Sequence, residues 1–218
     1  PMMNIINGGA HANNSLDFQE FMIMPISALS FQNAMQMGSE IFHSLKIILS
    51  EMGEPTSVGD EGGFAPNIAS PEETLSLLCK AIENAGYRVE DDIVFALDVA
   101  ATEFHKDGFY NLTNINNPIN SDEMIDYLET LINKFPIFSI EDPLDEDDWD
   151  GWTKLNSNIG NKIQIVGDDL FVTNSKRLER GIEQDSANSI LIKVNQIGTL
   201  SETFNSIDIA RKNNYSYI

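Results

Sequence analysis

Four short apolar blocks, each followed at once by a charged residue, constrain the fold of this chain more than any other feature. Ile93-Val94-Phe95-Ala96-Leu97 runs into Asp98, and Pro136-Ile137-Phe138-Ser139-Ile140 into Glu141-Asp142. Ile163-Gln164-Ile165-Val166 leads through Gly167 to Asp168-Asp169, and Ser189-Ile190-Leu191-Ile192 to Lys193. Each block has strand length, and near-continuous apolar runs mark strands buried on both faces. Helical patterns separate them, one starting at Ser121, a plausible cap, one at Asn174-Ser175 and one at Thr199. The alternation predicts parallel βα units and an α/β fold of (β/α) barrel type. In such a barrel the strand ends meet at one face, where barrel enzymes carry their active sites. A single charged strand end is usually a solvated loop residue. Four in succession, three acidic and one basic, predict a site.

The first half is less regular. Residues 1–6 and 18–24 read as strands joined by the Gly8-Gly9 loop, close enough in sequence to pair antiparallel. A long helix is predicted over 31–49, with apolar positions at Met35, Ile41, Phe42, Leu45, Ile48 and Leu49. Residues 58–67 are rich in Gly and Pro and must form a loop. Pro71 then opens a helix that stops near Gly86. No linker, repeat or low-complexity stretch divides residues 1–218, which read as one domain.

Composition excludes several function classes. The 34 Asp+Glu against 13 Lys+Arg give a formal net charge of -21, which repels phosphate backbones and argues against nucleic-acid partners. The one cysteine, Cys79, permits no internal disulfide and fits a reducing compartment. No apolar run approaches the ~18 residues of a membrane span, and nothing has the form of a signal peptide. The chain opens on Pro1 and closes inside a strand pattern, so it is expected to be a piece of something longer.

The candidate site follows from these ends. Three hard carboxylates, Asp98, Glu141 and Asp168, suit an oxygen-seeking divalent cation, and Mg²⁺ bound by three protein ligands keeps positions for substrate. A softer metal would ask for Cys or His, yet Cys79 lies in a helix pattern and the three His do not cluster in sequence. Lys193 beside such a cation would be driven toward its neutral form and could act as a general base; equally, it could simply pair with the acids. Glu61 sits on a backbone freed by Gly59, Gly62 and Gly63, which allows close approach to a ligand or a tight turn. No Gly-Lys-Ser/Thr follows, so this is not a phosphate loop. Asn7-Gly8-Gly9-Ala10-His11-Ala12 offers His11 in a similar setting. Gln19 and Glu20 interrupt an apolar strand, where a buried Glu is costly unless paired. The acidic run at 145–150 fails EF-hand spacing: counted from Glu146, position 12 is Ser157. It reads as a solvated loop, and His43 and His105 read as structural.

Seven segments carry a resemblance to a known family: Met3-Asn4-Ile5-Ile6-Asn7-Gly8-Gly9-Ala10-His11-Ala12, Gln19-Glu20-Phe21-Met22, Gly59-Asp60-Glu61-Gly62-Gly63-Phe64-Ala65-Pro66-Asn67, Ala96-Leu97-Asp98-Val99-Ala100, Ser139-Ile140-Glu141-Asp142-Pro143, Gly167-Asp168-Asp169-Leu170, and Ile192-Lys193-Val194-Asn195-Gln196-Ile197-Gly198-Thr199. Together they span essentially the whole chain, and it resembles the enolase family (phosphopyruvate hydratases), with a first segment of bacterial character. The resemblance implies an enolase-type TIM barrel that begins ββαα before regular βα units. The family's N-terminal α+β domain would lie ahead of Pro1, and further barrel would follow Ile218. It implies Mg²⁺ on Asp98, Glu141 and Asp168. Lys193 would be the base that removes the C2 proton of 2-phosphoglycerate, in line with the Lys base and Mg²⁺-stabilised ene-diolate known for this superfamily. Glu61 would be the general acid for loss of hydroxide, assisted by Glu20. His11 and Gln19 would contact substrate, together with Glu20, Glu141 and Asp168. The implied product is phosphoenolpyruvate, the location cytoplasmic, and the full-length assembly a homo-oligomer. The 218-residue piece alone would be inactive. Two other readings stand beside it: a sugar-acid dehydratase or racemase of the same superfamily, and a cell-surface role binding host plasminogen.

Overall fold

The structure, a computed structural model, describes residues 1–218 apart from Asp60. In chain order the elements are β1 (Met3–Asn7), β2 (Glu20–Pro25), α1 (Phe31–Met52), α2 (Pro71–Asn84), β3 (Ile93–Asp98), β4 (His105–Lys106), β5 (Phe109–Tyr110), α3 (Ser121–Lys134), β6 (Ile137–Glu141), α4 (Trp149–Ile159), β7 (Gln164–Gly167), α5 (Ser175–Gln184), β8 (Ser189–Ile190), α6 (Val194–Ile197), α7 (Leu200–Lys212) and β9 (Ser216–Tyr217). They fall into two compact units: residues 1–99, 111–118 and 130–138 form the first, and residues 100–110, 119–129 and 139–218 the second.

In the first unit, β1 pairs antiparallel with β2, and β2 antiparallel with β3, in a register that sets Ile23 opposite Phe95 and Glu20 opposite Asp98. Ile6, Phe21, Ile23, Phe95 and Leu97 are fully buried there. Each such side chain stabilises the fold by about 1.5–3 kcal/mol relative to exposure. Helix α1 places Met37, Ile41, Leu45 and Ile48 on one buried face, at the three-to-four-residue spacing of an amphipathic helix. Ser30 caps it by accepting the Asn33 N–H, and Gly53 ends it at φ +76°, a left-handed conformation that costs glycine little. The helix therefore runs to Met52, past the stop expected at 49. Helix α2 opens on Pro71, with Ser70 accepting the Glu73 N–H at 3.2 Å. The Phe42 ring stacks on Phe64 at 4.1 Å, which anchors the far end of the glycine loop to α1.

The second unit holds the parallel ladder. Ile140 pairs with Ile165, Val166 with Ser189, and Ile190 with Tyr217, so β6, β7, β8 and β9 follow one another in parallel order. Two features correct the sequence reading. Strand β8 ends at Ile190, because the chain turns into the short helix α6 with Lys193 as its N-cap; Leu191 N–H still bonds the Gly167 carbonyl at 3.1 Å. Asp107 and Gly108 have positive φ and close a small hairpin between β4 and β5, a turn that favours Asp-Gly.

The second correction concerns residues 145–150, where only Asp147 and Asp150 are exposed. Asp148 caps α4 by accepting the Gly151 N–H at 3.1 Å, and it also receives the hydroxyls of Ser121 and Tyr110. Asp145 lies 3.0 Å from His105 Nδ1. Trp149, Trp152, Leu155 and Ile159 are buried along α4, and that apolar periodicity draws the acidic run into structure. Among the described residues no helix is long and apolar enough to cross a membrane.

Candidate active site

The first unit brings together four of the singled-out residues around the ends of β1, β2 and β3. Gln19 precedes β2, and its Nε2 donates to Asp98 Oδ2 at 2.8 Å while its N–H donates to the Asp98 carbonyl at 2.9 Å. Asp98 is 5% exposed at the end of β3. Glu20 stands opposite it in the ladder, so two carboxylates occupy neighbouring cross-strand positions, an arrangement unfavourable on its own. His11 Nδ1 lies 3.3 Å from Glu20 Oε1, a pairing that offsets part of that cost only with the imidazole protonated.

Glu61 joins the same corner. Ligand atoms of His11, Glu20 and Glu61 lie within 4.8 Å of one another, with Glu61 exposed. Its loop is held by main chain: Gly59 N–H to the Gly63 carbonyl at 2.8 Å, Phe64 N–H to Ile5 carbonyl at 2.9 Å, and Asn7 N–H to Phe64 carbonyl at 2.8 Å. The buried Asn7 side chain adds an acceptor for the Gly63 N–H at 3.1 Å. A Cβ on Gly63 would meet Asn7 Oδ1 and press on the Ile5 and Ile6 backbone at 2.8 Å. Glycine at 63 thus serves close approach to β1, and glycine at 62 serves a φ of +88°. Asp60, quoted with this loop above, lies outside the described residues.

The second unit assembles Glu141, Asp168 and Lys193 and adds Asp142, a residue the sequence reading passed over. Carboxylate oxygens of Glu141, Asp142 and Asp168 lie within 4.8 Å of one another. Asp142 is buried at φ +41°, and its two oxygens accept the backbone N–H groups of Asp168 at 3.0 Å and Asp169 at 2.8 Å. It clamps the end of β7 and aims Asp168. Asp168, 6% exposed, receives Lys193 Nζ on Oδ2 at 2.5 Å and Gln196 Nε2 on Oδ1 at 2.7 Å. The Lys193 side chain is 45% exposed. A pair that open contributes about 1 kcal/mol or less to stability, so its importance lies in position. Burial, with the adjacent Asp168 charge second, pushes the Asp169 carboxyl up. Glu146 is raised likewise, by burial first and Asp169 next.

The donor chemistry here fits a hard divalent cation. Glu141 and Asp168 supply only oxygen, each carboxylate oxygen has two lone pairs, and the surrounding acids leave an excess of negative charge. Both oxygens of Asp142 and both of Asp168 already accept one donor each, so a cation in this unit would draw on Glu141 and on the lone pairs left on Asp142 and Asp168.

The family model for the enolase C-terminal TIM barrel domain matches residues 1–218. The chain belongs to that family. Its fold is accordingly α/β of TIM barrel type, with the antiparallel opening and two successive helices that the sequence led one to expect. The chain is 60% identical over 215 residues to two proteins named Enolase from Legionella pneumophila, of strains Corby and Lens. Each match covers 99% of this chain and 51% of the relative, so the chain spans about half the length of the curated relatives it matches. Family membership sets the two clusters in a context where strand ends carry the chemistry.

The structure adds four residues to those singled out from sequence: Asn7, Asp142, Thr173 and Gln196. Asp142 stands beside Glu141 in the charged strand end, and an acid directly before Pro143 in an apolar setting was a usable signal. Asn7, Thr173 and Gln196 act through hydrogen bonds to residues distant in sequence, and no local pattern marks them.

Proposed function

We propose that the intact gene product is a hydro-lyase interconverting 2-phosphoglycerate with phosphoenolpyruvate and water, a step of glycolysis and gluconeogenesis. The observation that carries this reading is Lys193 Nζ, 2.5 Å from Asp168 in a cluster with Glu141 and Asp142. The C2 hydrogen of 2-phosphoglycerate is adjacent to a carboxylate, and its removal builds a second negative charge there. Lys193 would accept that proton at Nζ once a cation held beside it drives it toward its neutral form. Glu141 and Asp168, together with Asp98, are the residues that would hold Mg²⁺. When bound, Mg²⁺ supplies the positive charge that stabilises the electrons left on the substrate carboxylate.

Glu61 gives a proton to the hydroxyl leaving C3, with Glu20 assisting. Its exposure suits a group that meets substrate arriving from solvent. His11 and Gln19 orient the substrate, and Gln19 also steadies Asp98. Elimination thereby divides into a base step, assigned to Lys193, and an acid step, assigned to Glu61.

The test is formation of phosphoenolpyruvate by the purified intact gene product given 2-phosphoglycerate and Mg²⁺. Turnover that a chelator abolishes and Mg²⁺ restores is expected; no turnover under any divalent cation contradicts the reading. The 218-residue chain by itself is expected to give none. The reading extends to a cytoplasmic location and a homo-oligomer, the latter measured by light scattering of the intact protein.

A further inference from the structure

The turn after Asp168 keeps two consecutive residues in a backbone conformation that L side chains rarely adopt. Val172 has φ +44° and Thr173 φ +55°, and both are β-branched, the side chains least suited to it. Such strain persists only where the surroundings over-determine it, and it concentrates at functional sites. Here the turn sets the position of one hydroxyl.

Thr173 is fully buried. Its Oγ1 accepts the Lys193 backbone N–H at 2.9 Å and donates to Gln196 Oε1 at 2.8 Å. The other end of the Gln196 amide reaches Asp168, Nε2 to Oδ1 at 2.7 Å, and Lys193 Nζ occupies the second oxygen of that carboxylate at 2.5 Å. The Thr173 carbonyl accepts Ser206 Oγ from α7 at 2.6 Å, which pins the turn from behind. The hydroxyl therefore closes a ring that runs through Gln196, Asp168 and the Lys193 side chain and returns through the Lys193 main chain. The donors and acceptors agree around it. With Gln196 Oε1 held by the Thr173 hydroxyl, the amide nitrogen must face the carboxylate, a charge-assisted bond; the flipped amide would set oxygen against oxygen.

We propose that Thr173 is a positioning residue for proton abstraction: its hydroxyl, acting through Gln196, holds Lys193 and Asp168 in one fixed relation. The proposal rests on the hydro-lyase reading above. Valine at 173 keeps the shape but removes the acceptor for Lys193 N–H and the donor for Gln196. Both ends of the ring then loosen. No part of Thr173 is assigned to substrate, so the loss falls on kcat more than on KM.

The experiment compares Thr173→Val, Thr173→Ser and Gln196→Met with the unmodified intact gene product. It measures kcat and KM for 2-phosphoglycerate, exchange of the C2 proton in deuterated water, and thermal midpoint. Thr173→Val is expected to lower kcat and exchange by about 10–100-fold with KM little changed. Thr173→Ser retains the hydroxyl and is expected to restore most of both. Gln196→Met, at a half-buried position of similar volume, is expected to lower kcat and exchange in the same direction. Thr173→Val with normal kcat and exchange overturns the proposal. So does equal impairment of the Val and Ser variants in step with a falling thermal midpoint, which would mean packing alone. Should Thr173→Val not fold, normal kcat and exchange in Gln196→Met overturn it instead. No turnover by the unmodified protein removes the hydro-lyase reading beneath the proposal; normal turnover by the unmodified protein and all variants removes the proposal alone.

Discussion

The two clusters of acids in this chain are held by different means. In the first unit, Glu61 rides on a loop whose position is set by main chain: Gly59 to Gly63, Phe64 to Ile5, and the Gly63 N–H on the Asn7 amide. In the second unit, Asp168 is set by side chains, with Asp142 beneath its backbone and Lys193 and Gln196 on its carboxylate. The contrast matches the proposed division of work. A base and cation ligands must be fixed before substrate arrives, because misplacement of even an ångström weakens proton transfer. An exposed acid on a backbone-held loop can meet a leaving group that comes with the substrate. Glycines therefore matter most on the Glu61 side, and hydrogen-bonding side chains on the Lys193 side.

The largest expected effect is on chemistry. Lys193→Ala in the intact gene product should lower kcat by about 10²–10⁴-fold, the range for loss of a general base, with little change in folding stability. A comparable loss of stability would mean that the Asp168 pair is structural, and the contrast between the units would fail. Next comes Asp142→Ala, which strands the buried N–H of Asp168 and the half-buried N–H of Asp169 and should cost about 1–3 kcal/mol, mostly at Asp168, in a urea unfolding experiment. Gly63→Ala probes the other side. Its Cβ meets the Ile5 and Ile6 backbone, so destabilisation of about 1–3 kcal/mol is expected. Gly62→Ala has open space around it, and its cost should be limited to the left-handed φ, about 1–2 kcal/mol. If the two alanines cost the same, close approach to β1 is not what position 63 provides.

A further effect is in pH. Burial pushes the Tyr215 hydroxyl up to about 12 and raises Tyr110 also, and both lie in the second unit. The unfolded chain releases these protons near pH 10. Stability of the second unit should thus be intact below about pH 10 and fall as pH rises toward 12, because the unfolded state then binds fewer protons than the native one. Trp149 and Trp152, the only two tryptophans, both sit in that unit, so the urea midpoint followed by tryptophan fluorescence reads it selectively. A midpoint that does not decline over that range would show that these hydroxyls are not protected by burial.

Much of this was legible in the sequence because burial writes a local pattern. The blocks at 93–97, 136–140 and 163–166 had to be strands, since continuous apolar runs of that length leave few other options. The acids after them were visible for the same reason: a charge directly behind a buried run marks where the strand emerges. The acidic stretch at 145–150 misled because composition there is polar while the deciding residues, Trp149, Trp152 and Leu155, recur at helical spacing from its end onward. Lys193 was singled out from the end of an apolar run, and β8 is shorter than that run. Leu191 and Ile192 lie half-buried past the assigned strand, their N–H groups still bonding the Gly167 and Ile218 carbonyls before the chain turns into α6. Asp142 and Thr173 escaped because their roles depend on positive φ and on partners 20 to 27 residues away, and neither leaves a periodic trace.

The central claim is that base and acid reside in separate groups, Lys193 for the C2 proton and Glu61 for the C3 hydroxyl. The most direct measurement follows 2-phosphoglycerate in deuterated water by proton NMR, scoring loss of the C2 signal against appearance of phosphoenolpyruvate. The account predicts that Lys193→Ala abolishes both, whereas Glu61→Gln suppresses phosphoenolpyruvate formation while C2 exchange continues. Exchange at the unmodified rate in Lys193→Ala would contradict it.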